Sequence, residues 1–106
     1  MIDKPGSHHA VRLIAKDKPA HLQVRLDTRP DHVAFLEKLN AEGTLQFAGP
    51  FLDTEGKPNG SLVVIEAEDR DEAAAIFAAD PYAEAGVFGS TEILPWNWTF
   101  NNPAKG

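Results

Sequence analysis

Four strand-like stretches interleaved with two capped helical patterns predict an α+β fold for this 106-residue chain, in the order β-α-β-β-α-β. The strands show as apolar alternation or short apolar runs, and each helix opens on a capping residue with an acidic residue three positions later. A chain of this length supports one domain, residues 1–106, with one modest core.

The first strand is "HAVRLIAKD", His9 to Asp17, where Val11, Leu13 and Ala15 alternate with Arg12 and Lys16. Asp17 then reads as an N-cap, with Pro19 in the first turn of a short helix. A second and stronger helical pattern follows in "TRPDHVAFLEKLNAEG". Thr28 is its cap, Asp31 the acidic partner, Pro30 a first-turn residue and Gly43 the stop. Leu36 and Leu39, flanked by Val33 and Phe35, supply the apolar stripe, and His32 lies one turn before Leu36 on the same inward side.

"TLQFAGPF" alternates again and places Leu45, Phe47 and Phe51 on one face. The turn formers of "DTEGKPNG" link it to "SLVVIEAE", so the two strands read as a hairpin. Leu62 and Val64 on one side and Val63 and Ile65 on the other require both faces to be covered. Asp69 and Glu72 have capping-box spacing, and Ala73, Ile76 and Phe77 give that helix its buried face. Asp80 precedes Pro81 and ends the element, and "GVFGSTEILPWNWTF" is the last strand, broken at Pro95. The result is the split, ferredoxin-like pattern, a four-stranded antiparallel sheet with both helices on one face. Its uncovered face predicts a homodimer packed sheet to sheet, with Trp96, Trp98 and Phe100 joining the contact.

Composition narrows the function classes. A formal net charge of -6 argues against a nucleic-acid partner. The charge is uneven: residues 1–40 hold seven Lys/Arg against five Asp/Glu, so the first part can present a local cationic site. Without cysteine there is no disulfide framework, thiolate metal site or cysteine nucleophile. No apolar run is long enough for a bilayer, and the N-terminal stretch lacks a signal peptide's apolar centre, so the expected location is cytoplasmic. Phosphate-binding glycine loops, the G-x-S-x-G elbow and H-E-x-x-H are absent, and nothing calls for a cofactor.

Proton transfer needs a group that titrates near neutrality and a second group to orient it. Of the four histidines, His8 and His9 sit at the N-terminal edge and His21 reads as surface. His32 stands in the first turn of its expected helix, where the positive dipole end favours neutral imidazole, and Arg25 and Arg29 precede it by seven and three residues. A helical path through Pro30 puts all three on one face; the alternative is a hydrogen-bonded core histidine with two surface arginines. Asp80 is an odd choice at a helix C-terminus, where an anion meets the negative dipole end. If the two helices are antiparallel neighbours, that end lies beside the start of the His32 helix and the two side chains can meet. The competing uses are an Asx turn for Asp80 or a metal site built from His32, Asp80 and another histidine.

Taken together, "RPDH" and Val33, "AGP" at Ala48 to Pro50, "GS" at Gly60-Ser61, "DPY" at Asp80 to Tyr82 and "AGVF" at Ala85 to Phe88 resemble the YCII-related (YciI-like) family, from Ala10 to Trp98. Val33 stands where leucine is usual. The resemblance implies a dimeric α+β barrel of ferredoxin-like units, similar in fold to muconolactone isomerase. It also implies a catalytic pair at His32 and Asp80, with Arg25, Arg29, Gly49, Pro50, Ser61 and Tyr82 near the same cleft. One kind of member resembles a dehydrochlorinase of chlorinated hydroxyquinols. The expected function is therefore proton transfer on a small, anionic organic molecule or ring without a cofactor, giving isomerisation, elimination or lactone chemistry. The rival is a dimeric module that binds a small ligand in the same cleft without chemistry.

Overall fold

The computed structural model describes residues 9–100, so the expectation for His8 lies outside the described residues. In chain order the elements are β1 (His9–Asp17), α1 (Leu22–Ala41), β2 (Leu45–Leu52), β3 (Pro58–Ala67), α2 (Arg70–Ala78), α3 (Pro81–Glu84) and β4 (Phe88–Trp96). The four strands form one antiparallel sheet in the order β2-β3-β1-β4, which is the ferredoxin-like arrangement. No helix among the described residues is long and apolar enough to cross a membrane.

Alternation decides which side chains meet the helices. Val11 lies opposite Ile65, Leu13 opposite Val63 and Ala15 opposite Ser61, so these residues share one face of the sheet. The apolar ones pack with Leu39 of α1 and with Ala73 and Phe77 of α2 to form the core. Each such Val, Leu, Ile or Phe contributes about 1.5–3 kcal/mol when fully buried. The second helical cap forms as its spacing predicts: the Asp69 carboxylate accepts from the Glu72 N–H, and the Glu72 carboxylate accepts from the Glu68 N–H.

The region between residues 17 and 41 differs from expectation. Instead of a short helix followed by a second one capped at Thr28, α1 runs unbroken for 20 residues with Pro30 inside it. Neither Asp17 nor Thr28 caps it; the N-cap is His21, whose ring Nδ1–H donates to the Pro19 carbonyl instead. An interior proline costs roughly 3 kcal/mol and leaves the carbonyl four residues back without its helical donor. Pro30 and Leu26 are both exposed, so water can satisfy that carbonyl. The opposite face repays the cost by burying Arg25, His32 and Leu39 at seven-residue intervals. Gly43 ends the helix as expected, in the left-handed region at φ 80°, with its N–H on the Asn40 carbonyl and the Thr44 N–H on the Leu39 carbonyl.

A bulge corrects the reading of β2. Leu45 pairs with Ile65, but Phe47 pairs with Val64, so Gln46 is an inserted residue. Leu45 therefore faces the helices while Phe47 and Phe51 face the other side, not one shared face. The hairpin loop is also shorter than expected, with β3 starting at Pro58. Asp53 organises it by accepting from the Glu55 and Lys57 N–H groups, and those bonds hold its carboxyl below the usual range.

The sheet face away from the helices is partly covered by the chain's own C-terminal segment. Pro95 does not break β4, which runs to Trp96; as an edge strand it pairs only with β1, where a missing N–H is tolerated. Trp96 and Trp98 stack at 5.7 Å and meet the Phe47 ring edge-on at 5.6 and 5.1 Å. Beneath this face Val64 is buried, while Phe51, Leu52 and Phe100 stay exposed.

Candidate active site

Between α1 and the β2–β3 edge of the sheet lies a cleft of about 200 Å³. A 150 Å³ apolar cavity is enough for benzene, so this one suits a single substituted ring. Its floor is small or apolar, with Gly49, Pro50 and Val63 from the sheet and Val33 and Leu36 from α1. The polar groups converge on one wall: Arg25, Arg29 and His32 from α1, Ser61 from β3 and Tyr82 from α3.

His32 and Asp80 meet directly. The ring Nδ1 lies 2.8 and 3.0 Å from the two carboxylate oxygens, both residues are buried, and Asp80 is 2% exposed. A carboxylate accepts, so Nδ1 carries the donated proton and the lone pair of neutral imidazole sits on Nε2. Nε2 has no hydrogen-bond partner among the described residues, and His32 lines the cleft, so this nitrogen is left unspent.

Two expectations about this pair need correction. His32 is not in a first helical turn: it is in the middle of α1, beyond the reach of a terminal dipole, which fades within one turn. Asp80 does not simply end α2. It follows the α2 C-cap, Ala79, and is itself the N-cap of α3, accepting from the Tyr82 N–H at 2.9 Å. An anion after one helix is thereby placed at the favourable end of the next. The Asx-type turn and the contact with His32 are thus both made by one carboxylate. They meet because α3 packs across the middle of α1, not because two helix ends are adjacent. A metal would need a third ligand beside them, and none converges there among the described residues.

Tyr82 backs the histidine. Its ring stacks on the imidazole at 3.9 Å and 14°, and the Arg25 guanidinium lies 4.5 Å from its centroid. Burial pushes the Tyr82 phenol above its ordinary value, Asp80 adds to the shift, and Arg25 and Arg29 pull it back. At neutral pH the phenol therefore keeps its proton and can donate.

The two arginines have different circumstances. Arg25 is buried and held by Asp17 through Nε at 2.6 Å and Nη2 at 3.1 Å, and Nη2 also donates to the Ser61 hydroxyl at 2.6 Å. Arg29 is exposed at the cleft and has no ion pair among the described residues. Seven of the eight residues expected at the site line the cleft, and the eighth, Asp80, stands behind His32. Asp17 was missed, because a contact between a strand end and a helix eight residues later leaves no periodic signal.

Residues 10–97 match the YCII-related domain family. The protein YciI of Escherichia coli O6:H1 is 36% identical over 94 residues, covering 83% of this chain and 96% of that one. Among solved structures, the 5-chloro-2-hydroxyhydroquinone dehydrochlorinase TftG of Burkholderia phenoliruptrix AC1100, in complex with 2,5-dihydroxybenzoquinone, superposes with a TM-score of 0.78 at 34% identity, covering 88% of this chain and 98% of that one. An antibiotic biosynthesis monooxygenase-like protein from Nitrosomonas europaea, 12% identical with a TM-score of 0.53 over 95% of this chain and 99% of that one, shares the fold alone. On the strength of the near full-length match and these relatives, the chain belongs to the YCII-related family.

Proposed function

We propose that the chain is an enzyme that withdraws a proton from carbon in a small, anionic or ring-shaped organic molecule and then completes an isomerisation or an elimination. One observation carries this reading: Asp80 occupies Nδ1 of His32 while Nε2 is left to the cleft. Nε2 takes the proton and the C–H electron pair moves toward a neighbouring carbonyl, whose oxygen becomes an enolate. Arg29 meets that oxygen, the Tyr82 hydroxyl donates to it, and Asp80 stabilises the imidazolium. Return of the proton to a second carbon gives an isomer; loss of a leaving group as its anion gives a double bond. Arg25 is a poorer anion ligand, because Asp17 already neutralises it. The reading is supported by the 34% identical relative, a dehydrochlorinase whose solved complex holds a single-ring quinone, a size that suits a cleft of about 200 Å³.

The dimer belongs to the same proposal. Both major helices cover one sheet face, and Phe51 and Leu52 remain exposed at 38% and 59% on the chain as it stands. A second copy laid sheet to sheet covers the other face. Light scattering at micromolar concentration should give twice the chain mass, and a monomer mass would contradict it.

The activity is tested by incubating the protein with 5-chloro-2-hydroxyhydroquinone and following chloride release, and with a panel of small ring acids and lactones in D₂O, following C–H exchange by NMR. Chloride release or exchange that disappears in His32→Gln is the expected result. If 2,5-dihydroxybenzoquinone binds but no compound reacts or exchanges, the cleft is a binding site without chemistry.

A further inference from the structure

Arg25 and His32 lie seven residues apart on one face of α1, a separation of about 10.5 Å along the axis. The Tyr82 ring occupies that gap, 3.9 Å from the His32 ring and 4.5 Å from the Arg25 guanidinium carbon. Both groups therefore bear on the same phenol ring. Each end of the stack is tied to a buried carboxylate, His32 to Asp80 and Arg25 to Asp17. Ser61 adds a third bond to the guanidinium.

We propose that Asp17 is a positioning residue for His32, acting through Arg25 and the Tyr82 ring. This rests on the reading of His32 as the group that meets the ligand. Asp80 fixes one edge of the imidazole, but a hydrogen bond through one nitrogen leaves the ring free to rock about that bond. The face of Tyr82 removes this freedom only if Tyr82 is itself held, and the Arg25 guanidinium packs against the same ring. A guanidinium on a long flexible side chain stays there because Asp17 grips it bidentately and Ser61 from the neighbouring strand holds Nη2. The clamp also removes a second free cation from the cleft and leaves Arg29 to meet an anionic ligand.

The test reads the stack without any substrate. Ring protons over an aromatic face are shifted upfield, so the His32 signals, assigned by their loss in His32→Gln, should lie upfield of those of His21, which stacks on no ring among the described residues. Tyr82→Leu defines their unstacked positions. Asp17→Asn should move them toward those positions, and Asp17→Glu, which keeps the carboxylate, should hold them near the native ones. If Asp17→Asn does not fold, Asp17→Asn combined with Arg25→Gln removes both buried charges and should show the same displacement. Native His32 shifts in Asp17→Asn, or in the double variant if that is the one that folds, would overturn the proposal. Where chloride release is measurable, Asp17→Asn should lower kcat while leaving KM nearly unchanged. Absence of any turnover in the native protein counts against the enzymatic reading, while the ring shifts still decide the role of Asp17.

Discussion

Along one face of α1 two carboxylates meet basic side chains seven residues apart: Asp17 meets Arg25, and Asp80 meets His32. Both pairs are buried and both link the helix to another element, yet they leave different things over. The guanidinium has two bonds to Asp17 and one to Ser61, and it cannot give up its proton near neutrality, so that pair can only hold shape. The imidazole spends one nitrogen on its carboxylate and keeps the other for the cleft, and it can exchange a proton. Similar burial therefore yields an anchor in one place and, under the proposed function, the reactive group in the other. What separates them is the unspent nitrogen rather than the depth.

Variants that break each pair should fail in different ways. The largest effect is expected for His32→Gln, which keeps an amide donor for Asp80 but removes the base: turnover should fall about 10²- to 10⁴-fold with little change in Tm. Asp17→Asn should do the reverse on the stability axis, since an uncompensated buried guanidinium costs roughly 3–5 kcal/mol. At the usual conversion this lowers Tm by more than about 10 °C in thermal melts. If the two variants showed the same phenotype, the division of labour would be wrong. Arg29→Gln sharpens the contrast between the arginines. Exposed and unpaired, it should change stability by no more than about 0.5 kcal/mol, yet weaken an anionic ligand by roughly 1.5–3 kcal/mol, readable as a rise in Kd or KM.

The smallest effect concerns Tyr82, the only tyrosine in the chain, so ultraviolet absorbance of tyrosinate reports it alone. Burial raises its folded pKa above the unfolded value near 10. Between those two values the native state binds more protons than the unfolded one. Stability is therefore intact below pH 10 and falls as pH rises toward the folded pKa. Arg25→Gln removes a charge that pulls the phenol down, so its tyrosinate signal should appear at still higher pH. An ordinary titration in the native protein would mean that the ring is not buried between its neighbours.

Much of the fold could be read from local signals. Gly43 and the Asp69–Glu72 cap announce themselves because a left-handed stop and an N-cap are chemistry within a few residues. Where the reading failed, tertiary contacts overrode such signals. Thr28, Pro30 and Asp31 look like a helix start, but the buried face of α1 carries Arg25 and His32, so apolar periodicity does not mark the continuous helix. Phe47 and Phe51 exchanged faces relative to Leu45 because one inserted residue, Gln46, is invisible to alternation. The meeting of His32 with Asp80 was legible in outline from the family motifs, although the helix-end geometry offered for it was not the real one. The partner of Arg25 could not be read at all, since Asp17 also resembles an ordinary cap.

The central claim is that Asp80 holds His32 in one tautomer with Nε2 presented to the cleft, and ¹⁵N NMR of the neutral imidazole tests it most directly. The account predicts a protonated Nδ1 and a bare Nε2 in the native protein, with the preference lost in Asp80→Asn. A proton found on Nε2 instead, or a mixture unchanged by removing Asp80, would contradict it.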